Sequence, residues 1–219
     1  MDQRAAAEEN LRAIRQLMER ATVYRAVSAP SALVAGILAL ILSGAIYFNN
    51  EVRLLLGRTV RPREFAFAWI VTLILAAAAN AFFLKRKADR EGRPFFSCGM
   101  RLALQAITPN LLIPAALTLW FLQTGYLGAQ ELQLVTVWVA FYGLGLISTG
   151  LFAPRSITLL GWAFFLTALA TPVLNDPLDR ISNDVPDTLM ALTFGLYHLI
   201  YAAATWPRRR SAAGTVQAQ

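Results

Sequence analysis

Apolar residues are gathered into six long stretches that contain no Asp, Glu, Lys or Arg, and polar connections separate them. Each stretch has at least 20 residues; they run over 26–50, 65–84, 102–130, 132–154, 156–175 and 188–207. About 20 apolar residues, at a rise of about 1.5 Å each, are enough to cross the hydrocarbon core of a bilayer as one helix. The pattern therefore predicts an all-α membrane protein built as a six-transmembrane-helix bundle.

The segment that precedes the first stretch has the pattern of an amphipathic helix. In residues 1–25, Leu11, Ile14 and Met18 lie on a narrow apolar seam whose positions alternate between spacings of three and four. Such a seam can pack on the protein's own spans, rest on the membrane surface, or pair with a partner helix or a second copy of the chain. The short seam favours the first two roles, because stable coiled coils usually sustain three or four heptads.

The distribution of positive charge predicts the orientation. Fifteen of the 20 Lys and Arg residues lie in one set of alternate connections, and the positive-inside rule puts that set in the cytoplasm. We expect an inner (plasma) membrane protein of a bacterium with both termini cytoplasmic. Its parts are the amphipathic cytoplasmic helix 1–25, the six-span domain 26–207, and a basic, disordered cytoplasmic tail 208–219.

Composition narrows the classes of function. Hydrophobic residues make up 57% of the chain and charged residues 15%, against about 25% charged in soluble domains. Six spans use most of the 219 residues, which leaves no room for a soluble catalytic or nucleic-acid-binding domain. Cys98 is the only cysteine, so an intrachain disulfide and a cysteine-built metal site are excluded. We expect no cofactor and no metal, and the lipid bilayer as the main partner.

A few polar side chains share a depth near the middle of the bilayer. Asn110 is nine residues from Arg101 and His198 is ten residues from Arg208, or about 13.5 and 15 Å from the cytoplasmic boundary. Prolines interrupt the helix of the third span, and Gly143 and Gly145 leave the fourth span without side chains at two positions. We predict a site for a lipid or small apolar ligand made by Asn110, Pro114, Tyr142, Tyr197, His198 and Tyr201. The alternative is a packed, neutral His198 that bonds to a tyrosine or a backbone carbonyl.

Two further polar residues lie nearer the cytoplasmic side. Gln105 is four residues from Arg101, and Asn80 is five residues from Lys85. Their similar depth predicts an interhelical polar pair with a structural role. His198 is the only acid or base within a charge-free stretch. Coupled transporters generally place a charged residue at membrane depth, so the sequence disfavours a coupled pump.

The connection before the last span carries an aspartate pattern. Residues 175–184 read Asn-Asp-Pro-Leu-Asp-Arg-Ile-Ser-Asn-Asp. This stretch resembles the Asn-Asp-x-x-Asp motif of intramembrane prenyltransferases, whose aspartates hold Mg²⁺ against a diphosphate. Those enzymes have more spans and a second motif, and their motif faces the cytoplasm; here Asn183 replaces the third aspartate and the loop is predicted outside. The favoured interpretation is a solvated loop in which Asp184 and Asp187 cap the next helix.

Together these patterns predict a non-enzymatic, multi-pass membrane protein that binds a lipid or small apolar ligand and acts as a sensor, scaffold or accessory subunit. The first alternative is a small transporter or channel subunit without a buried charged coupling residue. The second is an intramembrane, Mg-dependent enzyme that modifies prenyl groups or lipids.

Overall fold

Helices account for almost all of the protein that the structure, a computed structural model, describes: residues 8–9, 28–55, 62–92, 95–96, 98–124, 131–150, 152–179 and 184–206. These residues contain no strand. The first five long helices are α1 (Ala29–Leu55), α2 (Pro62–Arg90), α3 (Cys98–Thr124), α4 (Glu131–Ser148) and α5 (Arg155–Asp179). The last, α6, joins an α-helical part (Val185–Met190), a π-helical part (Ala191–Tyr197) and a second α-helical part (His198–Thr205). The predicted seam of Leu11, Ile14 and Met18 lies outside the described residues.

All six of these helices in the described ranges are long and apolar enough to cross a membrane. The structure therefore confirms the all-helical class and the six membrane-length helices, and it supports a multi-pass membrane protein. One helix boundary differs from the sequence pattern and changes which residues the helix contains. Helix α6 begins at Val185, before the charge-free stretch starts at residue 188, and it thereby includes Asp187.

The core lies where α1, α4, α5 and α6 meet. Its buried apolar residues include Ala39 on α1, Val139 on α4, Phe164 on α5 and Met190 on α6. Helix α3 packs against α4, whereas α2 packs mainly against α1 and forms an edge of the bundle. Consecutive helices run in opposite directions. We call the end at which α1 begins and α2 ends the basic end, and the end at which α6 begins the opposite end.

Glycines bring two pairs of helices into backbone contact. A Cβ atom on Gly143 of α4 would lie 2.7 Å from the carbonyl oxygen of Gly161 on α5, and one on Gly161 would lie 2.8 Å from the carbonyl oxygen of Gly143. A Cβ on Gly36 of α1 would likewise lie 2.9 Å from the Gly195 carbonyl oxygen in the π-helical part of α6. Close approach of this kind lets dispersion forces hold helices together in lipid, where water does not drive association.

Candidate functional site

The centre of the bundle holds a polar pair surrounded by aromatic rings. The hydroxyl oxygen of Tyr142 on α4 lies 2.9 Å from Nε2 of His198 on α6. The Tyr142 ring centroid is 4.8 Å from that of Phe164 and 5.0 Å from that of Phe194. His198 is 4% exposed, so its imidazole makes this bond inside the protein rather than at the lipid-facing surface. The structure thus gives His198 a tyrosine partner within a packed core.

The other two tyrosines of the predicted site lie near the same rings. The hydroxyl oxygens of Tyr197 and Thr167 are 2.8 Å apart, which joins α6 to α5. Tyr201 is buried in the same core. Phe164 is fully buried at the centre, with ring centroids 5.6 Å from Tyr197 and 5.5 Å from His198. The sequence did not single out Phe164, because one of 13 phenylalanines in an apolar chain carries no distinctive signal.

Asn110 and Pro114 belong to a different contact, between α3 and α4. The Asn110 amide nitrogen donates to the Ala106 carbonyl at 2.9 Å and to the Ser148 hydroxyl at 3.3 Å. The Pro114 carbonyl accepts from the Thr118 hydroxyl, which in turn accepts from the Trp138 indole at 2.9 Å. The six predicted site residues therefore form two polar clusters, and equal depth did not bring Asn110 to His198. Ligand binding by either cluster stays a prediction.

Gly143 does not open space for a ligand, which corrects the expectation that it thins the fourth span at a pocket. The backbone of α5 occupies that space, as the contact between Gly143 and Gly161 shows. A Cβ on Gly145 would lie 3.6 Å from the Asn110 Cβ, so this glycine faces α3 instead. The two glycines serve two different helix contacts because they lie on different faces of α4.

The predicted pair of Asn80 and Gln105 remains a prediction. Asn80 is half-buried on α2, and Gln105 is exposed on α3. The main packing partner of α2 is α1, and that of α3 is α4.

The aspartates at the opposite end have two different roles. Asp184 caps α6, since its Oδ1 accepts from the Asp187 backbone nitrogen at 3.1 Å, and its Oδ2 accepts from the Asn50 amide at 2.7 Å. Asp187 is 4% exposed, and its Oδ2 accepts from the Ser43 hydroxyl at 2.5 Å. The expectation of a solvated Asp187 is therefore wrong. The helix begins early enough to carry this carboxyl inward against α1.

This burial adds an ionisable side chain to the interior of the bundle. His198 was the only ionisable side chain expected within a span, but α6 also contains Asp187, whose Oδ1 is buried without a hydrogen-bond partner. Glu131 lies half-buried at the start of α4. The described residues contain no group of three or more His, Cys, Asp or Glu side chains arranged to hold a metal ion.

A cavity of about 380 Å³ lies at the basic end, between the start of α1 and the end of α2. Four of its lining residues follow the spacing i, i+3, i+4 and i+7, which places them on one face of α2. The lining consists of Ser28, Pro30, Phe83, Arg86, Lys87 and Arg90. In the sequence, these basic residues indicated only the orientation of the chain. Their helical spacing beside Phe83 was the signal that could have located the cavity.

The start of α1 is held in place at the wall of this cavity. The hydroxyl of Ser31 donates to the Ser28 carbonyl at 2.8 Å, and the two hydroxyl oxygens are 2.9 Å apart. Ser31 is itself buried. These hydrogen bonds order the first turn of α1, which forms one wall of the cavity.

No protein-family model matches the chain, and no curated protein or solved structure matches it either.

Proposed function

We propose that the protein is a non-enzymatic, multi-pass membrane protein that binds a lipid in the cavity between α1 and α2 and acts as a sensor, scaffold or accessory subunit. The observation that carries the proposal is the position of this cavity. It lies at the ends of two membrane-length helices, and Pro30 and Phe83 give it apolar walls below a basic rim. An apolar wall next to a few polar groups is typical of a small-molecule site.

The packing elsewhere favours this location over the centre of the bundle. At the centre, Phe164 fills the space beside Tyr142 and His198, and glycines hold α4 and α5 in contact. A ligand there would have to displace buried rings, whereas no lining residue of the cavity beside α2 belongs to the buried core. The charge distribution supports an inner-membrane location with both termini cytoplasmic, which would put the cavity in the cytoplasmic leaflet.

The proposal is tested by counting the lipids that stay with the detergent-purified protein, using native mass spectrometry. Adjacent phenylalanines provide a matched pair of variants, because Phe83 lines the cavity and Phe82 is exposed. We expect the unaltered protein and Phe82→Ala to retain lipid and Phe83→Ala to lose it. Equal retention by all three proteins, or no retained lipid in any, would contradict the proposed site.

A second candidate is a small transporter, and the burial of Asp187 favours it. A buried ionisable residue within a membrane-length helix is a functional-site hypothesis by default, and π-helical turns such as the one that follows in α6 often occur at functional sites. This candidate predicts proton or ion flux in proteoliposomes that Asp187→Asn abolishes. Absence of flux above that of empty vesicles would remove its support.

A further inference from the structure

We infer that the rim of the cavity between α1 and α2 binds the phosphate headgroup of an anionic phospholipid through Arg86, Lys87 and Arg90. The inference rests on the proposed function, and it adds the chemical class of the ligand.

The order of the lining residues along α2 matches the order of chemical groups in a phospholipid. Phe83 lies deepest, and Arg90 follows seven residues later, or about 10 Å further along the helix axis. A whole bilayer is about 10–15 Å thicker than its hydrocarbon core, so each of its two headgroup layers is about 5–8 Å deep. An acyl or glycerol segment against Phe83 would therefore leave its phosphate level with the cations.

Charge favours an anionic lipid over a zwitterionic one. Three of the six lining residues are cations, and none is an acid. The one described ion pair of this rim joins Lys87 Nζ to Glu91 at 3.9 Å, between two well-exposed side chains. Such exposed pairs contribute little and leave the lysine available to a phosphate. Arginines can in addition contact phosphate oxygens through two parallel hydrogen bonds.

The protein's own N-terminal segment complements the charge of the cavity less well than an anionic lipid does. Residues 1–27 connect directly to Ser28 at the cavity, but they contain five arginines and four acids, so their net charge is +1. A segment with a net positive charge does not complement a basic rim. A lipid phosphate does, and every lipid of the surrounding leaflet already lies at this level.

The test is a native mass spectrometry titration of the full chain in detergent with phosphatidylglycerol and, separately, phosphatidylcholine. The test variant is Arg86→Gln/Arg90→Gln. The control is Lys85→Gln/Arg101→Gln, which removes the same charge from two exposed positions near the same end of the bundle but outside the cavity lining. A basic residue near an anionic surface contributes about 1 kcal/mol, or about fivefold in affinity.

We expect the unaltered protein and the control to prefer phosphatidylglycerol, and the test variant to bind it about 25-fold more weakly with little change for phosphatidylcholine. Inorganic phosphate should not compete, since it lacks the apolar part that meets Phe83. An equal loss in the control variant, or an unchanged preference in the test variant, would overturn the inference. If both lipids bind equally and Phe83→Ala releases both, the headgroup inference fails and the proposed lipid site stands. If neither lipid binds, both fail.

Discussion

The interface between α4 and α5 and the interface between α1 and α2 are built in opposite ways. At the first, Gly143 and Gly161 bring two backbones into contact, and Phe164 packs among aromatic rings next to them. At the second, the cavity lined by Pro30 and Phe83 lies between the start of α1 and the end of α2. Of the most apolar 18-residue window in each helix, 33% is buried in α4 and in α5, but only 6% in α2.

The difference shows how similar compositions can produce different interfaces. Apolar helices gain little from association in lipid unless their side chains and backbones fit closely. Glycine and a large ring together provide that fit between α4 and α5. Helix α2 has alanines at its centre, Ala76 to Ala79, but these are half-buried or exposed. We therefore expect substitutions at the first interface to affect folding and substitutions at the second to affect binding.

The largest effect is expected at Phe164. Replacing a fully buried phenylalanine with alanine typically costs about 3–5 kcal/mol, because it removes contacts and leaves a cavity. Phe164→Ala should therefore lower the thermal unfolding temperature strongly, as measured by circular dichroism in detergent. Leu166→Ala is the control, since Leu166 on the same helix is 53% exposed and faces away from the core. Similar losses in both variants would mean that the rings around Phe164 do not form the stabilising centre.

A smaller loss is expected at the glycine contact. A methyl group on Gly143 would lie 2.7 Å from the Gly161 carbonyl oxygen and 2.8 Å from the Phe165 nitrogen, so the backbones must move apart. Overpacking of this kind typically costs about 1–3 kcal/mol. Gly143→Ala should reduce stability by about that amount in the same unfolding measurement.

Gly44 on α1 provides the control for this experiment, because a Cβ there would meet nothing within 4 Å. Gly44→Ala should leave stability unchanged or raise it by up to about 1 kcal/mol, since alanine favours helix over glycine. If Gly143→Ala is tolerated as well as Gly44→Ala, the contact between α4 and α5 is looser than its geometry indicates.

Hydrophobic patterning predicted the six helices because the length and composition of a membrane span are fixed by the thickness of the bilayer. It failed at Asp187 for a definite reason. The rule that located the spans excluded every charged residue, and a carboxyl that bonds to Ser43 inside the bundle violates that rule. Partners 144 positions apart in sequence leave no local signal. The cap at Asp184, which is a local contact, was predicted correctly.

The candidate site was harder to predict than the fold, because sequence fixes depth along a helix but not its rotation. His198 and Tyr142 were both assigned to a depth near the middle of the bilayer, and they do meet. Asn110 has a similar depth, yet its amide bonds within α3 and to Ser148. The cavity beside α2 was missed because its cations were attributed to topology. The same arginines can mark the cytoplasmic side of the membrane and also line a cavity. Only the position of α1 beside α2 shows that they line one.

The smallest expected effect is at Tyr142, where one substitution separates the hydrogen bond from the ring packing around Phe164. Tyr142→Phe keeps the ring against Phe164 and Phe194 but removes the hydroxyl that bonds to His198. Hydrogen bonds between membrane helices contribute about 0.6 kcal/mol on average, so we expect a loss well below that of Phe164→Ala. Tyr47→Phe, at a tyrosine that is 52% exposed, should change stability even less. A loss in Tyr142→Phe as large as that in Phe164→Ala would show that the core around Phe164 depends on the polar pair between α4 and α6 rather than on ring packing.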